Sequence, residues 1–184
     1  MRVITGIARG RKLQTLPGAD IVRPTAERVK EAIFSAIQFD IEGRRVLDLF
    51  SGSGQLGIEA LSRGALSAVF VDCSRASLEV TEKNLKATGL AENAEVINSD
   101  YSAFLMRTQK VFDIAFLDPP YGSGVLPDAI AKTVTHMSDH GIIFCEHPSG
   151  AAPAETVSDF SVLRTYKFGS VSVTMYKKGV SADE

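Results

Sequence analysis

Cysteine is scarce in this chain of 184 residues: Cys73 and Cys145 are the only two, and they form no Cys-x-x-Cys pair. That argues against a disulfide framework and a thiolate metal site, and for a reduced, cytoplasmic setting. No stretch approaches the roughly 20 unbroken apolar residues needed to span a bilayer, and Met1 to Gly6 lacks the apolar region of a secretory signal. Neither membrane insertion nor secretion is expected. Internal repeats and low-complexity tracts are also missing. What is present, 45% hydrophobic and 23% charged residues, lies far from the composition of disordered chains and suits a single packed core.

Net charge is nearly absent, at −2, but it is unevenly distributed. Residues 1–30 hold seven basic groups against Asp20 and Glu27, which leaves +5; residues 31–184 hold thirteen basic and twenty acidic groups, which leaves −7. A basic end on an acidic body suits contact with a polyanion, because cationic side chains gain by displacing counterions condensed on phosphates. A solvated basic face would show the same imbalance.

From Val46 to Gly179, short β-branched or apolar runs alternate with longer helix-like stretches, the pattern of repeated βα units around a parallel sheet. Expected strands are Arg45 to Phe50, Ala68 to Asp72, Ala94 to Asn98, Asp113 to Leu117 and Ile142 to Glu146. Two more, Ser161 to Lys167 and Val171 to Lys178, form a hairpin turned at Gly169, which makes the sheet mixed. Helices are expected at about Gly54 to Arg63, Ser74 to Thr88 (capped by Ser74 and stopped by Gly89), Tyr101 to Thr108 and Val125 to Met137. Residues 1–40 break this rhythm. Met1 to Gly6 and Arg11 to Leu16 can pair as a small hairpin through Gly10, and a helix capped by Thr25 places Val29, Ile33, Phe34 and Ile37 on one face. The reading is α/β, with a basic extension over 1–40 and a catalytic domain over 41–180.

Chemistry concentrates at strand ends. Gly52, Gly54 and Gly57 form Gly-x-Gly-x-x-Gly between the first strand and its helix, where glycines permit a tight turn and close backbone approach to a ligand. The motif serves a dinucleotide or S-adenosylmethionine equally. Asp72, ending the second strand, can accept from ribose hydroxyls of either. Asp48 discriminates between them, since a carboxylate beside the glycines repels a pyrophosphate but tolerates a cofactor bearing an amine and a sulfonium. Asp100, after the third strand, is placed either to accept from an adenine amine or to cap the helix that opens at Tyr101.

Asp118-Pro119-Pro120-Tyr121 follows the apolar run Ile114 to Leu117. A doubled proline makes a stiff loop without backbone donors, leaving carbonyls and the Asp118 carboxylate as fixed acceptors for an exocyclic amine. A nucleobase amine is a poor nucleophile because its lone pair is delocalised; accepting its N–H protons favours the tetrahedral geometry that can attack. Tyr121 offers a flat face for an extruded base. His136 and His140 are spaced i, i+4 at the expected end of a helix, but no third ligand accompanies them and no metal is expected. His147 reads as a loop residue, and Cys73 and Cys145 as small packed groups.

Asp-Pro-Pro-Tyr after the fourth strand, with Asp48-x-Phe50-x-Gly52-x-Gly54 after the first, resembles the class I S-adenosylmethionine-dependent methyltransferases acting on amino nitrogens. Arg2-Val3-Ile4-Thr5-Gly6, Arg9-Gly10-Arg11-Lys12-Leu13, Arg23-Pro24-Thr25, Arg28 to Phe34 and Glu59 to Gly64 narrow the likeness: together they resemble the bacterial 16S ribosomal RNA guanine-N2 methyltransferase D family over nearly the whole chain. The resemblance implies a Rossmann-like, mostly parallel seven-stranded sheet with a C-terminal antiparallel hairpin strand. It also implies methylation of a guanine 2-amino group in 16S ribosomal RNA, within a small-subunit particle. Asp48, Phe50, Ser51, Gly52 and Gly54 would surround the methionine part of S-adenosylmethionine, with Asp72 on its ribose and Asp100 and Tyr101 near its adenine. The guanine would stack on Tyr121 with its amine against Asp118 and the Pro119 carbonyl, and Arg9, Arg11, Lys12, Arg23 and Arg28 would grip RNA phosphates. The alternatives are amino-methylation of DNA adenine or cytosine or of a protein glutamine and, further off, a nicotinamide-dependent oxidoreductase.

Overall fold

The computed structural model describes residues 1–16 and 24–179. Five helices and eight strands alternate along the chain: α1 (Pro24–Ala36), β1 (Arg45–Leu49), α2 (Gln55–Ser62), β2 (Ser67–Asp72), α3 (Arg75–Thr88), β3 (Ala94–Asn98), α4 (Tyr101–Arg107), β4 (Phe112–Leu117), α5 (Leu126–Thr133), β5 (Met137–Pro148), β6 (Thr156–Val157), β7 (Phe160–Phe168) and β8 (Val171–Lys178). Among the described residues all strands join one sheet in the order β3-β2-β1-β4-β5-β8-β7-β6. The first five run parallel, and β8, β7 and β6 complete the sheet antiparallel. The chain leaves β1 toward β2 and β3, then returns to place β4 on the other side of β1. That reversal opens a crevice at the carboxyl ends of β1 and β4, where ligands of such sheets bind.

Even-numbered residues of β1, β4 and β5, such as Val46, Phe116 and Phe144, face a core shared with Val3, Ala8, Leu13, α1, α2 and Leu85 of α3. Odd-numbered ones, such as Leu47, Leu117 and Cys145, face α4 and α5. Covered on both sides, β4 is buried at every position. Local signals set the helix ends: Ser74 accepts from Ser77 N–H at 3.2 Å, and Gly89, at φ +74°, closes α3.

Several expectations need correction. The sheet has eight strands rather than seven, because the two-residue β6, too short for a periodic signal, pairs with the edge of β7. The N-terminal hairpin is present but short: Arg2 and Lys12 form one antiparallel bridge, with Val3 N–H bonded to the Arg11 carbonyl and Leu13 N–H to that of Met1. It goes no further because Ile4 and Thr5 donate to Glu59 and Ile7 and Ala8 to Ser62. Helix α1 begins at Pro24, one residue ahead of the expected cap Thr25. Helix α5 stops at Thr133, a short 3-10 turn covers Val134–His136, and His140 lies on β5, so the two histidines share no helical face. His147 is no loop residue: it is buried within β5 and bonded to Thr174 Oγ1 at 2.8 Å. Cys73 is exposed; only Cys145 is packed.

Candidate active site

The turn after β1 is built for close approach. Phe50, at φ +71°, and Gly52 and Gly54, at +54° and +76°, take left-handed backbone conformations, which cost a side-chain-bearing residue about 1–2 kcal/mol. Phe50 and Ser51 both donate backbone N–H to the Val71 carbonyl at 3.0 Å. From α3, Thr81 bonds the Gly52 carbonyl at 2.9 Å and the Asn84 carboxamide bonds the Ser53 carbonyl at 2.9 Å. At Gly57 a β-carbon would stand 2.3 Å from the Phe70 ring, so glycine lets α2 lie against the sheet. Asp48 is sealed beneath this turn and accepts from Gly57 N–H at 2.8 Å. Burial is the main cause raising its carboxyl to about 7; the Gly57 bond opposes the rise and the Asp72 charge adds to it. Asp48 thus braces the helix start.

Beside the turn lies a cleft of about 250 Å³ that includes Phe50, Asp72, Asp100, Tyr101 and Asp118 in its walls. The Asp72 oxygens receive Gly52 N–H at 2.9 Å and Ser74 N–H at 2.8 Å, and each keeps a lone pair for a further donor. Asp100 does cap α4, through bonds from Ser102 and Ala103 that both reach Oδ1. The Phe50 and Tyr101 rings pack 5.2 Å apart, and the Tyr101 hydroxyl donates to Asp128 at 2.8 Å. The donor set suits S-adenosylmethionine. No atom stands within 4 Å of a β-carbon built at Gly52, and the buried Ser51 Oγ has no hydrogen-bond partner among the described residues.

Asp118 also lines a second cleft, of about 220 Å³, on the α1 side. Ala26, Val29 and Lys30 of α1 form one wall, Gln55 and Leu56 of α2 another, and Tyr121 and Glu146 complete it. Leu117 pairs with Cys145 in the parallel register, so the next residues, Asp118 and Glu146, stand side by side. The Tyr121 hydroxyl donates to Glu146 Oε1 at 2.5 Å. Asp118 stays open to both clefts, yet dense protein around the cleft floor, followed by the charges of Glu146 and Asp48, raises its carboxyl above the usual range. Pro119 is buried and lines a separate groove of about 480 Å³ with Pro120, Tyr121 and His147.

Arg9, Arg11 and Lys12, on the N-terminal segment, and Arg28, on α1, are exposed; Arg23 falls outside the described residues. Buried polar bonds hold this segment. Glu59, fully buried, accepts from Ile4 N–H at 2.8 Å, Thr5 N–H at 3.0 Å, Lys30 Nζ at 2.9 Å and Arg63 Nε at 2.8 Å. Burial opposes its charge, but Lys30, the Ile4 amide and Arg63 outweigh it and hold the carboxyl below the ordinary value. At Gly6 a β-carbon would fall 1.7 Å from the Ser62 carbonyl oxygen, so only glycine allows this docking. Asn84 binds both the N–H and the carbonyl of Gln14.

Sequence reasoning did not single out Glu146 or Asn84. Glu146 carried a usable signal, a carboxylate closing an expected strand as Asp118 follows another. Lys30 and Glu59 fell within segments that carried the resemblance, but nothing local showed their pairing, because 29 positions separate them.

Residues 1–177 match the family described as Conserved hypothetical protein 95. Ribosomal RNA small subunit methyltransferase D of Escherichia coli is 35% identical over 180 residues, covering 97% of this chain and 90% of its own; that of Haemophilus influenzae is 35% identical over 182 residues, covering 96% and 93%. A solved E. coli structure described as a methyltransferase, yhhF, is 36% identical with a TM-score of 0.85 and covers 97% of each chain. A T. thermophilus 16S rRNA N2 methyltransferase, solved with AdoMet and guanosine, shares the fold at 24% identity and a TM-score of 0.68, over 87% of this chain and 44% of its own. The chain therefore belongs to the family described as Conserved hypothetical protein 95, alongside the ribosomal RNA small subunit methyltransferases D, and its fold is that of the class I S-adenosylmethionine-dependent methyltransferases.

Proposed function

We propose that the protein transfers a methyl group from S-adenosylmethionine to the exocyclic N2 amine of a guanine in 16S ribosomal RNA. The observation that carries this reading is the position of Asp118, which lines both the cleft of strand-end acceptors and the cleft walled by α1. A methyl donor in the first and a base in the second would meet at this one carboxylate.

When bound, S-adenosylmethionine supplies an electrophilic methyl on a cationic sulfur. The turn from Phe50 to Gly54 would hold its methionine part, Asp72 its ribose, and Asp100 and Tyr101 its adenine end. Asp118 accepts an N–H of the amine, orients its lone pair and later takes the proton; the Pro119 carbonyl is assigned the second N–H. Tyr121 presents a ring to the flipped base. Alignment is the main source of acceleration, since well-oriented reactants can gain roughly 7–11 kcal/mol. Arg9, Arg11, Lys12 and Arg28 hold RNA phosphates, and Arg23, outside the described residues, is assigned the same role. The substrate is 16S RNA within a small-subunit particle.

The test is methyl transfer to naked 16S RNA and to small-subunit particles lacking the modification, with the product nucleoside identified by mass spectrometry. Expected is N2-methylguanosine. Asp118→Ala should slow transfer by about 10²–10³-fold while S-adenosylhomocysteine binding, read by calorimetry, changes little. Unchanged turnover in both Asp118→Ala and Tyr121→Ala would reject the site.

A further inference from the structure

Glu146 has no part in the mechanism above, yet it shares the base cleft with Asp118. Its strand position decides its direction. The parallel register that pairs Leu117 with Cys145 places Asp118 and Glu146 as neighbours, about 4.8 Å apart along the hydrogen-bonding direction and on the same side of the pleat. The Tyr121 hydroxyl occupies Glu146 Oε1. It fixes the rotamer and leaves acceptor capacity on the carboxylate. The cleft therefore presents two adjacent carboxylates along one edge.

The amine-bearing RNA bases differ in what flanks the amine. In guanine the N2 amine stands next to N1–H, a second donor. In adenine the N6 amine stands next to the N1 lone pair, and in cytosine the N4 amine next to the N3 lone pair. A pair of neighbouring acceptors satisfies guanine and sets a carboxylate against a lone pair in the other two, a repulsive contact that discriminates more strongly than a missing attraction. We infer that Glu146 is the residue that selects guanine: its carboxylate, held by Tyr121, accepts N1–H while Asp118 accepts the amine. Gln55, in the same cleft, carries a buried carboxamide oxygen without a partner among the described residues. Its carboxamide is a polar group of this cleft not already committed to a partner through its oxygen, and a donor from it would suit O6.

This inference rests on the proposed guanine-N2 reaction and deepens it. Glu146→Gln keeps the shape but exchanges an obligate acceptor for a group that also donates; Glu146→Asp keeps the carboxylate. The experiment is single-turnover methylation of small-subunit particles lacking the modification, by the wild-type protein and both variants. Product mass spectrometry and S-adenosylhomocysteine calorimetry run in parallel. Glu146→Gln should methylate guanine about 10–100-fold more slowly, the loss expected when a charged hydrogen bond gives way to a mismatched neutral one. Glu146→Asp should recover most of that loss, and S-adenosylhomocysteine affinity should stay within about twofold for all three. Wild-type rates in Glu146→Gln, or equal loss in Gln and Asp, would overturn the role of Glu146 while N2-methylguanosine still forms. A wild-type product other than N2-methylguanosine would instead overturn the parent reading.

Discussion

The two faces of the sheet differ in how heavily polar groups are threaded through them. Against α4 and α5 the contact is mostly apolar: Phe104, Leu105, Ala129 and Ile130 meet Leu47, Leu117, Ile143 and Cys145, with few buried polar groups such as Thr133 and His147. Against the N-terminal segment and α1 to α3 an apolar layer is also present, but buried polar groups are threaded through it, among them Lys30, Glu59, Ser62, Thr81 and Asn84. Apolar burial is non-directional and tolerates small shifts; hydrogen bonds fix register, and a buried one left unmade is costly. The wired face is the one that carries the cleft walled by α1, the turn after β1 and the exposed Arg9, Arg11 and Arg28. Directional bonds sit on the side where the proposed reaction would align two ligands.

The sharpest way to break this contrast is Glu59→Ala. It strands the Lys30 ammonium and two backbone amides in the interior, and should cost about 3–5 kcal/mol in urea unfolding. The matched change on the other face, Ile130→Ala, should cost about 2–5 kcal/mol, yet leave the folded fraction with normal S-adenosylhomocysteine and RNA affinity. Loss of binding in Ile130→Ala at temperatures where it is fully folded would erase the distinction. Asn84→Ala cuts bonds to both Gln14 and Ser53. At about 1–3 kcal/mol for buried groups left unpaired, it should weaken cofactor and RNA binding together; weakening of one alone would show that the segment and the turn are not coupled.

The junction between the faces has its own signature in pH. In the proposed reaction Asp118 must be ionised to accept the amine, and the dense protein beneath it, then Glu146 and Asp48, raise its carboxyl. Methyl transfer should therefore be lost as pH falls through a value above the usual carboxylate range. Removing a neighbouring negative charge with Glu146→Gln should move that limb to lower pH, read from kcat/KM against pH. The smallest effect is expected from the triple change Arg9→Ala, Arg11→Ala and Lys12→Ala. It should lower the slope of RNA affinity against salt by about one per lost phosphate contact, without altering stability or S-adenosylhomocysteine binding.

Legibility followed the range of the interaction. Seven strands, the Ser74 and Gly89 ends of α3 and the turn after β1 were readable because periodicity, caps and glycines act within a few residues. The eighth strand was not, since two residues carry no period. Asp118 was found as a motif, whereas its neighbour Glu146 needed the register of β4 on β5. His147 looked like a loop residue before Pro148, but pairing with β8 carries the strand through it.

By itself the sequence determined the α/β alternation, the strand-end acceptors and the basic N-terminal segment, because each is written in neighbouring residues. Only the tertiary structure decided that α1 walls the second cleft, that Asp118 belongs to two clefts at once, that Glu59 ties the N-terminal segment to α1, and that Asn84 ties it to the turn after β1. Those facts join residues far apart in the chain, Gln14 and Asn84 by 70 positions and α1 and Glu146 by still more, and no local pattern encodes which distant partners the packed sheet brings together.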